Sequence, residues 1–256
     1  MAEFTSYAPG TPSWVDLASP DLEKSRAFYG SLFGWGANVG GPEAGGYTMF
    51  TKGGKNVAGG GPIMMEGQPP AWTTYVSVED ADATIDKVKK AGGMVFVEPM
   101  DVLDVGRMAV FADPTGAALA LWQPKTHVGA DLANEPGTLC WNELNTRDTG
   151  AAKAFYAEVF GWGSETSEGA QMTYTEWKLG GQSIGGMMDM PPMVPAEVPA
   201  HWLVYFAVED CDATTAKANE LGATTIAGPM DVEPGRFAVL SDPSGAVFAV
   251  IRMNQA

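Results

Sequence analysis

One stretch of this chain is written twice, and the repeat limits the possible fold more than any other feature. TPSWVDLASPDLEKSRAFYGSLFGWG at residues 11–36 returns as GTLCWNELNTRDTGAAKAFYAEVFGWG at residues 137–163. Trp14 matches Trp141, Asp16 matches Glu143, and Phe28-Tyr29 matches Phe155-Tyr156. Phe33-Gly34-Trp35-Gly36 matches Phe160-Gly161-Trp162-Gly163, and the offset stays at 127 residues with no gap. Such a match means a duplicated domain whose two copies share one architecture. At 256 residues in all, each copy is long enough to bury a core.

Local patterning gives the elements. Residues 1–11 read as a loose arm. Ser13–Ala18 alternates apolar and polar side chains, the period of a strand, and places Trp14 and Asp16 on one face. A helix follows, with Ser19 or Asp21 as its cap, Glu23 in the first turn and Gly34 as its stop. Leu22, Phe28, Tyr29, Leu32 and Phe33 recur at three- and four-residue steps, so one face packs against a sheet. Glycine turns lead into strands at Tyr47–Thr51 and Val57–Met65. After a Pro-rich hinge at Gln68–Pro70 come a strand at Thr73–Val78, a helix at Asp80–Ala91, and strands at Met94–Val97, Arg107–Ala112 and Ala117–Trp122. Asp113-Pro114-Thr115-Gly116 joins the last two, an order of residues suited to a type I turn. The second copy repeats this with Trp202–Val208, a helix from Asp210 to Leu221, and strands around Asp242-Pro243-Ser244-Gly245.

The chain therefore divides into a first domain at 1–124 (units about 12–66 and 72–124), a linker at 125–136, and a second domain at 137–256 (units about 138–190 and 201–253). Only one strand in four is followed by a helix, so the class is α+β with mostly antiparallel pairing. Gly59-Gly60-Gly61 opens no helix, which removes the helix terminus a phosphate cradle requires.

Thirty-one acidic against 15 basic residues give a formal charge of −16, which repels nucleic acid and anionic membrane surfaces. No signal segment follows Met1, and no apolar run approaches the roughly 20 residues of a membrane helix. Cys140 and Cys211 face Ser13 and Ala81 across the repeat, an unmatched pair that reads as two reduced thiols in a cytoplasmic protein.

Three motifs together resemble a known family. Asp-x6-Phe-Tyr-x3-Phe-Gly-Trp begins seven residues after Trp14 and runs from Asp21 to Trp35, then recurs from Asp148 to Trp162. Val-Glu-Asp-x-Asp-Ala-Thr occupies 78–84 and 208–214, and the Asp-Pro-x-Gly hairpin closes each half. Each half in this way resembles the vicinal oxygen chelate superfamily, which includes glyoxalase I, bleomycin-resistance proteins and extradiol dioxygenases. The whole looks most like the two-domain actinobacterial glyoxalase-like proteins. The resemblance implies paired βαβββ units that curl each half into an open, cup-shaped sheet holding a metal, a ligand or both.

The metal slots that the resemblance implies are changed. The first falls on Trp14 and Trp141, the third on Thr73 and Leu203, the fourth on Ala120 and Ala249, and no Glu lies on Asn56–Met65 or Gln182–Met188. Zinc, iron and manganese sites of this type need His and carboxylate donors. The chain has two His, of which His127 is in the linker and His201 in the second half. No metal site and no cofactor is expected; the alternative is a divalent metal at a shifted site using Glu143 and His201.

In the metal's place the cups carry aromatic and small residues. Trp14, Asp16, Tyr75 and Ala120 in the first half and Trp141, Glu143, His201, Tyr205 and Ala249 in the second form the candidate ligand-binding set. Asp16, Glu143 and His201 are the candidates for acid–base chemistry. Met64-Met65, Met187-Met188, Met190 and Met193 sit at equivalent edges, where methionine suits either a lid or gap-filling core. Arg107 and Arg236 read as hairpin ion pairs. The function expected is metal-free binding of a hydrophobic, aromatic small molecule by a monomer or homodimer. The alternative is a lyase, isomerase or dioxygenase/hydroxylase-type enzyme of the same superfamily.

Overall fold

In the computed structural model, which describes residues 3–64, 67–168, 173–191 and 194–254, each copy of the repeat builds one eight-stranded sheet. The first half runs β1 (Pro12–Ser19), α1 (Leu22–Phe33), β2 (Gly36–Val39), β3 (Thr48–Lys52), β4 (Lys55–Pro62), β5 (Ala71–Ser77), α2 (Ala81–Lys90), β6 (Met94–Val102), β7 (Gly106–Ala112) and β8 (Ala118–Pro124). The second half repeats it as β9 (Leu139–Thr146), α3 (Thr149–Phe160), β10 (Gly163–Glu168), β11 (Thr173–Leu179), β12 (Gln182–Asp189), β13 (His201–Ala207), α4 (Cys211–Glu220), β14 (Thr224–Val232), β15 (Gly235–Ser241) and β16 (Val247–Met253). The strand order is β2-β3-β4-β1-β5-β8-β7-β6 in the first sheet and β10-β11-β12-β9-β13-β16-β15-β14 in the second. In each, two βαβββ units meet side by side through one antiparallel pair, β1 with β5 and β9 with β13. The fold is the α+β architecture expected. Met65 and Met193 lie outside the described residues.

The helix ends follow local chemistry. Asp21 accepts a hydrogen bond from the Lys24 amide at 3.0 Å and Asp148 one from the Ala151 amide at 2.8 Å. Gly34 and Gly161 end α1 and α3 with φ of 74° and 71°, a conformation that side-chain-bearing residues rarely adopt. β2 and β10 were not among the strands read from sequence. Every residue in them is exposed, so no alternation marks them. The N-terminal arm is docked rather than loose: Gly10 donates to the Ser77 carbonyl at 2.8 Å, and the Tyr7 hydroxyl to the Ala130 carbonyl at 2.7 Å.

Each of the two large cores belongs to both halves. One joins Phe28, Tyr29, Phe33, Trp35 and Trp72 of the first half to Phe206 and Phe248 of the second. The other joins Ile85, Phe111 and Leu119 to Phe155, Tyr156 and Trp202. The motif tyrosines cross this boundary. Tyr29 donates its hydroxyl proton to Asp242 at 3.0 Å and accepts from the Trp72 indole at 2.9 Å. Tyr156 donates to Asp113 at 2.8 Å and accepts from Trp202 at 2.9 Å. Both aspartates open the Asp-Pro-x-Gly hairpins, so the turn of each half receives the Phe-Tyr helix of the other. The motif tryptophans cross as well: Trp35 donates to the Gly137 carbonyl and Trp162 to the Gly10 carbonyl, each at 2.7 Å.

Alternate residues along each strand face away from these cores. On β5, Trp72 and Val76 enter the large cores while Tyr75 joins a smaller cluster with Trp14, Ala120, Trp122 and Ala130. The matching cluster in the second half holds Leu203, Tyr205, Ala249 and Ile251, with Cys140, Trp141, Phe237 and Val239 packed against it. These two clusters line the inner faces of the cups.

Candidate functional site

Four side chains meet at the floor of each cup. In the first, the Trp14 indole donates to the Tyr47 hydroxyl at 3.1 Å, and Tyr47 and Tyr75 donate to one oxygen of Asp16 at 3.4 and 2.8 Å. In the second, the Trp141 indole donates to the Tyr174 hydroxyl at 2.9 Å and Tyr205 donates to Glu143 at 3.0 Å. Tyr174 stands beside the Glu143 carboxyl, whose charge adds to burial in raising the phenol's pKa. Strand register assembles these tetrads: Trp14 lies opposite Tyr75 and Trp141 opposite Tyr205 in the antiparallel pairs. Asp16 lies opposite Gly59 and Glu143 opposite Gly186 in the parallel pairs.

Those glycines make room for a residue that the sequence reading did not single out. A methyl at Gly59 would overlap the Tyr47 hydroxyl, and one at Gly186 would overlap that of Tyr174. Tyr47 and Tyr174 stand 127 residues apart, so the repeat offset already marks them as a pair.

Burial shifts each acid towards its protonated form. Burial pushes the Asp16 carboxyl up to about 6, against the opposing pull of the Tyr75 and Tyr47 hydrogen bonds. Burial likewise raises Glu143, opposed by its polar neighbours Tyr174, Tyr205 and Asn145. Burial, followed by the nearby carboxylate charge, raises Tyr47, Tyr75, Tyr174 and Tyr205, which therefore stay protonated donors.

The sign of the resulting pH dependence is fixed. A carboxyl raised by folding favours the native state when protonated, so its contribution is complete below about 4 and lost as pH rises through 6. At roughly 1.4 kcal/mol per unit, Asp16 costs the fold on the order of 2–3 kcal/mol between those limits. Urea unfolding at pH 4.5 and 7.5 should show a smaller stability difference in Asp16→Asn than in the wild type. An unchanged difference would refute the assignment.

The remaining candidates fall in distinct places. Ala120 and Ala249 are fully buried, in register with Tyr75 and Tyr205. Leu203, not His201, stands opposite Glu143, while His201 pairs with Asn145 and its Nδ1 lies 2.9 Å from the Pro199 carbonyl. Arg107 forms a bidentate pair with Asp82 and Arg236 with Asp212, as surface ion pairs. Cys140 accompanies the second cup, where burial pushes its thiol up to about 12, a poor nucleophile.

The donor set does not fit the family's metal. Each floor offers one carboxylate already hydrogen-bonded to phenols, and no three His, Cys, Asp or Glu side chains are grouped among the described residues. No described helix is long and apolar enough to cross a membrane.

The two cups differ in cover. Trp14 is 3% exposed, whereas Trp141 is only partly buried. His127 of the linker packs edge-on against Trp14 with ring centroids 4.6 Å apart and against Trp122 at 5.6 Å. Trp141 meets no such ring among the described residues. His127 was not among the candidates read from sequence, because the linker has no counterpart in the repeat; Trp122 lies on β8, and its contact with the linker is not written in the strand pattern.

Comparison with known proteins agrees with the tandem two-domain fold. The family model for the glyoxalase/bleomycin resistance protein/dioxygenase superfamily matches residues 11–121, and that for a glyoxalase-like domain matches 141–251. The chain is 48% identical to "Putative glyoxylase CFP32" of Mycobacterium tuberculosis over 98% of each protein. It is 42% identical to the anthracycline biosynthesis protein DnrV of Streptomyces peucetius, over 98% of this chain and 96% of that one. Among solved structures, the Mn(II)-bound glyoxalase of Novosphingobium aromaticivorans superposes with a TM-score of 0.65 at 17% identity, covering 95% of this chain and 82% of that one.

Proposed function

Because the chain belongs to the glyoxalase/bleomycin resistance protein/dioxygenase superfamily, we propose that it binds a hydrophobic, aromatic small molecule in its cup and does so without the family's metal. The observation that carries this reading is the floor of the cup: one acid, two phenols and an indole, the indole standing at the position of the first metal slot. A flat apolar ligand gains by covering the partly exposed Trp141 and its neighbours Phe237, Val239 and Ile251. Glu143 and its tyrosines supply the convergent polar group that sets orientation, and the carboxyl can pair with a ligand amine. The relationship to an anthracycline biosynthesis protein supports a polycyclic aromatic compound as the first probe.

Titration with the anthracycline doxorubicin should quench tryptophan fluorescence saturably, and Trp141→Phe should remove most of that quenching. Elemental analysis of protein purified without chelators should find manganese, iron and zinc well below one equivalent. One equivalent of any of them would overturn the metal-free reading, and an absence of quenching would overturn the aromatic one.

The raised carboxyls favour one second reading, a metal-independent enzyme in which Asp16 or Glu143 exchanges a proton with the bound molecule. Turnover of a bound compound that disappears in Asp16→Asn or Glu143→Gln, with binding retained, would establish it over simple binding.

A further inference from the structure

The linker segment after β8 follows a course set by many contacts. The Lys125 and His127 amides both donate to the Val105 carbonyl at 3.1 Å, and the Trp122 indole donates to the His127 carbonyl at 2.7 Å. Further on, the Ala130 amide donates to the Ser13 carbonyl at 2.8 Å, the Asp131 amide to Asn56 at 2.8 Å, and the Asn56 amide back to Asp131 at 2.8 Å. Gly129 has a φ of 128°, and a methyl there would overlap the Ser13 carbonyl, so only glycine lets the segment lie this close to β1.

Every polar bond in that list is made by backbone or by a flanking residue. The imidazole itself is held by rings. It stands edge-on to Trp14 and Trp122, and its Nε2 is buried with no hydrogen-bond partner. Burial also lowers its pKa, so the ring is neutral near pH 7 and acts as a small aromatic. A buried, unpaired ring nitrogen opposes this placement, so the aromatic contacts must outweigh it.

We propose that His127 is a built-in occupant of the first cup, its imidazole taking the place over Trp14 that an aromatic ligand's ring takes over Trp141 in the second. The chain then carries two cups but one open site. The observation pointing there is the contrast between equivalent tryptophans: each is bonded through its indole to the equivalent tyrosine, one is covered by a ring, and the other is partly exposed. This rests on the reading of the cup as an aromatic site, and it adds which cup is open and how the ring sits.

The test is binding stoichiometry. Wild-type protein should bind one equivalent of doxorubicin by calorimetric titration, and His127→Gly should bind two. His127→Phe, which keeps a ring in the slot, should stay at one. Two equivalents in the wild type, or one in His127→Gly, would overturn the proposal while leaving aromatic binding intact. If the wild type binds no doxorubicin, the functional reading fails on its own, and free imidazole then becomes the probe. At tens of millimolar it should raise the Tm of His127→Gly and leave that of the wild type unmoved. No rise in the variant sinks the occupant idea. Should His127→Gly fail to fold, His127→Ser carries the same expectations.

Discussion

Asp113→Ala should destabilise the protein by about 3–5 kcal/mol, the largest single effect expected from removing one polar side chain. Asp113 is 3% exposed and its two oxygens have separate tasks. One accepts from the Thr115 amide and hydroxyl and the Ala117 amide at 2.8, 2.7 and 3.1 Å, which shapes the hairpin of the first half. The other accepts from Tyr156 of the second half at 2.8 Å. Truncation leaves all of these donors without their partner in a site water cannot easily reach. Asp113→Asn keeps an acceptor for the turn and places a donor opposite Tyr156, so it should lose less, about 1–3 kcal/mol. Because the aspartate bonds both halves, urea unfolding of Asp113→Ala should remain one transition at a lower midpoint. A loss below 1 kcal/mol, or two separated transitions, would mean that the halves do not depend on this contact.

Gly186→Ala should have the largest effect on the site. The added methyl would overlap the Tyr174 hydroxyl and lie 2.9 Å from the Trp141 indole nitrogen. Tyr174 can yield only by giving up its bond from the Trp141 indole and its place beside the buried Glu143 carboxyl. The expected stability loss is about 1–3 kcal/mol. Doxorubicin affinity should fall by roughly tenfold or more, equivalent to about 1.4 kcal/mol. Gly59→Ala imposes the same overlap on Tyr47 and should cost similar stability. Wild-type affinity in Gly186→Ala would show that the tetrad is not the floor of the binding site.

How far these features could be read from sequence depended on how local their causes are. The cap at Asp21, one of the two residues the pattern offers, and the stop at Gly34 were legible because a cap needs only residues within one turn. Trp14 and Asp16 could be placed on one face because a strand has period two. Tyr47 and Tyr174 are paired by the offset of 127, but each opens or flanks a strand that turn residues mark, so nothing local distinguishes them from ordinary strand aromatics. The crossing of the cores was beyond the pattern altogether. Periodicity says that Tyr29 is buried, but nothing in it says that the acceptor of its hydroxyl is Asp242 in the other half. His127 escaped because a residue outside the repeat has no counterpart to flag it.

The shared cores have a consequence for mass action. Phe28 and Phe248, or Phe111 and Phe155, meet as two separate subunits would, yet a covalent linker joins the partners. Even with its contacts released, a tether of about a dozen residues keeps its ends within roughly 20 Å, equivalent to a millimolar concentration of one half around the other. Pairing of the halves is therefore unimolecular, and dilution cannot weaken it. The two copies are also released from being identical. A dimer of one repeated domain must change both sites with every substitution, whereas this chain can close one cup with its own linker and leave the other open.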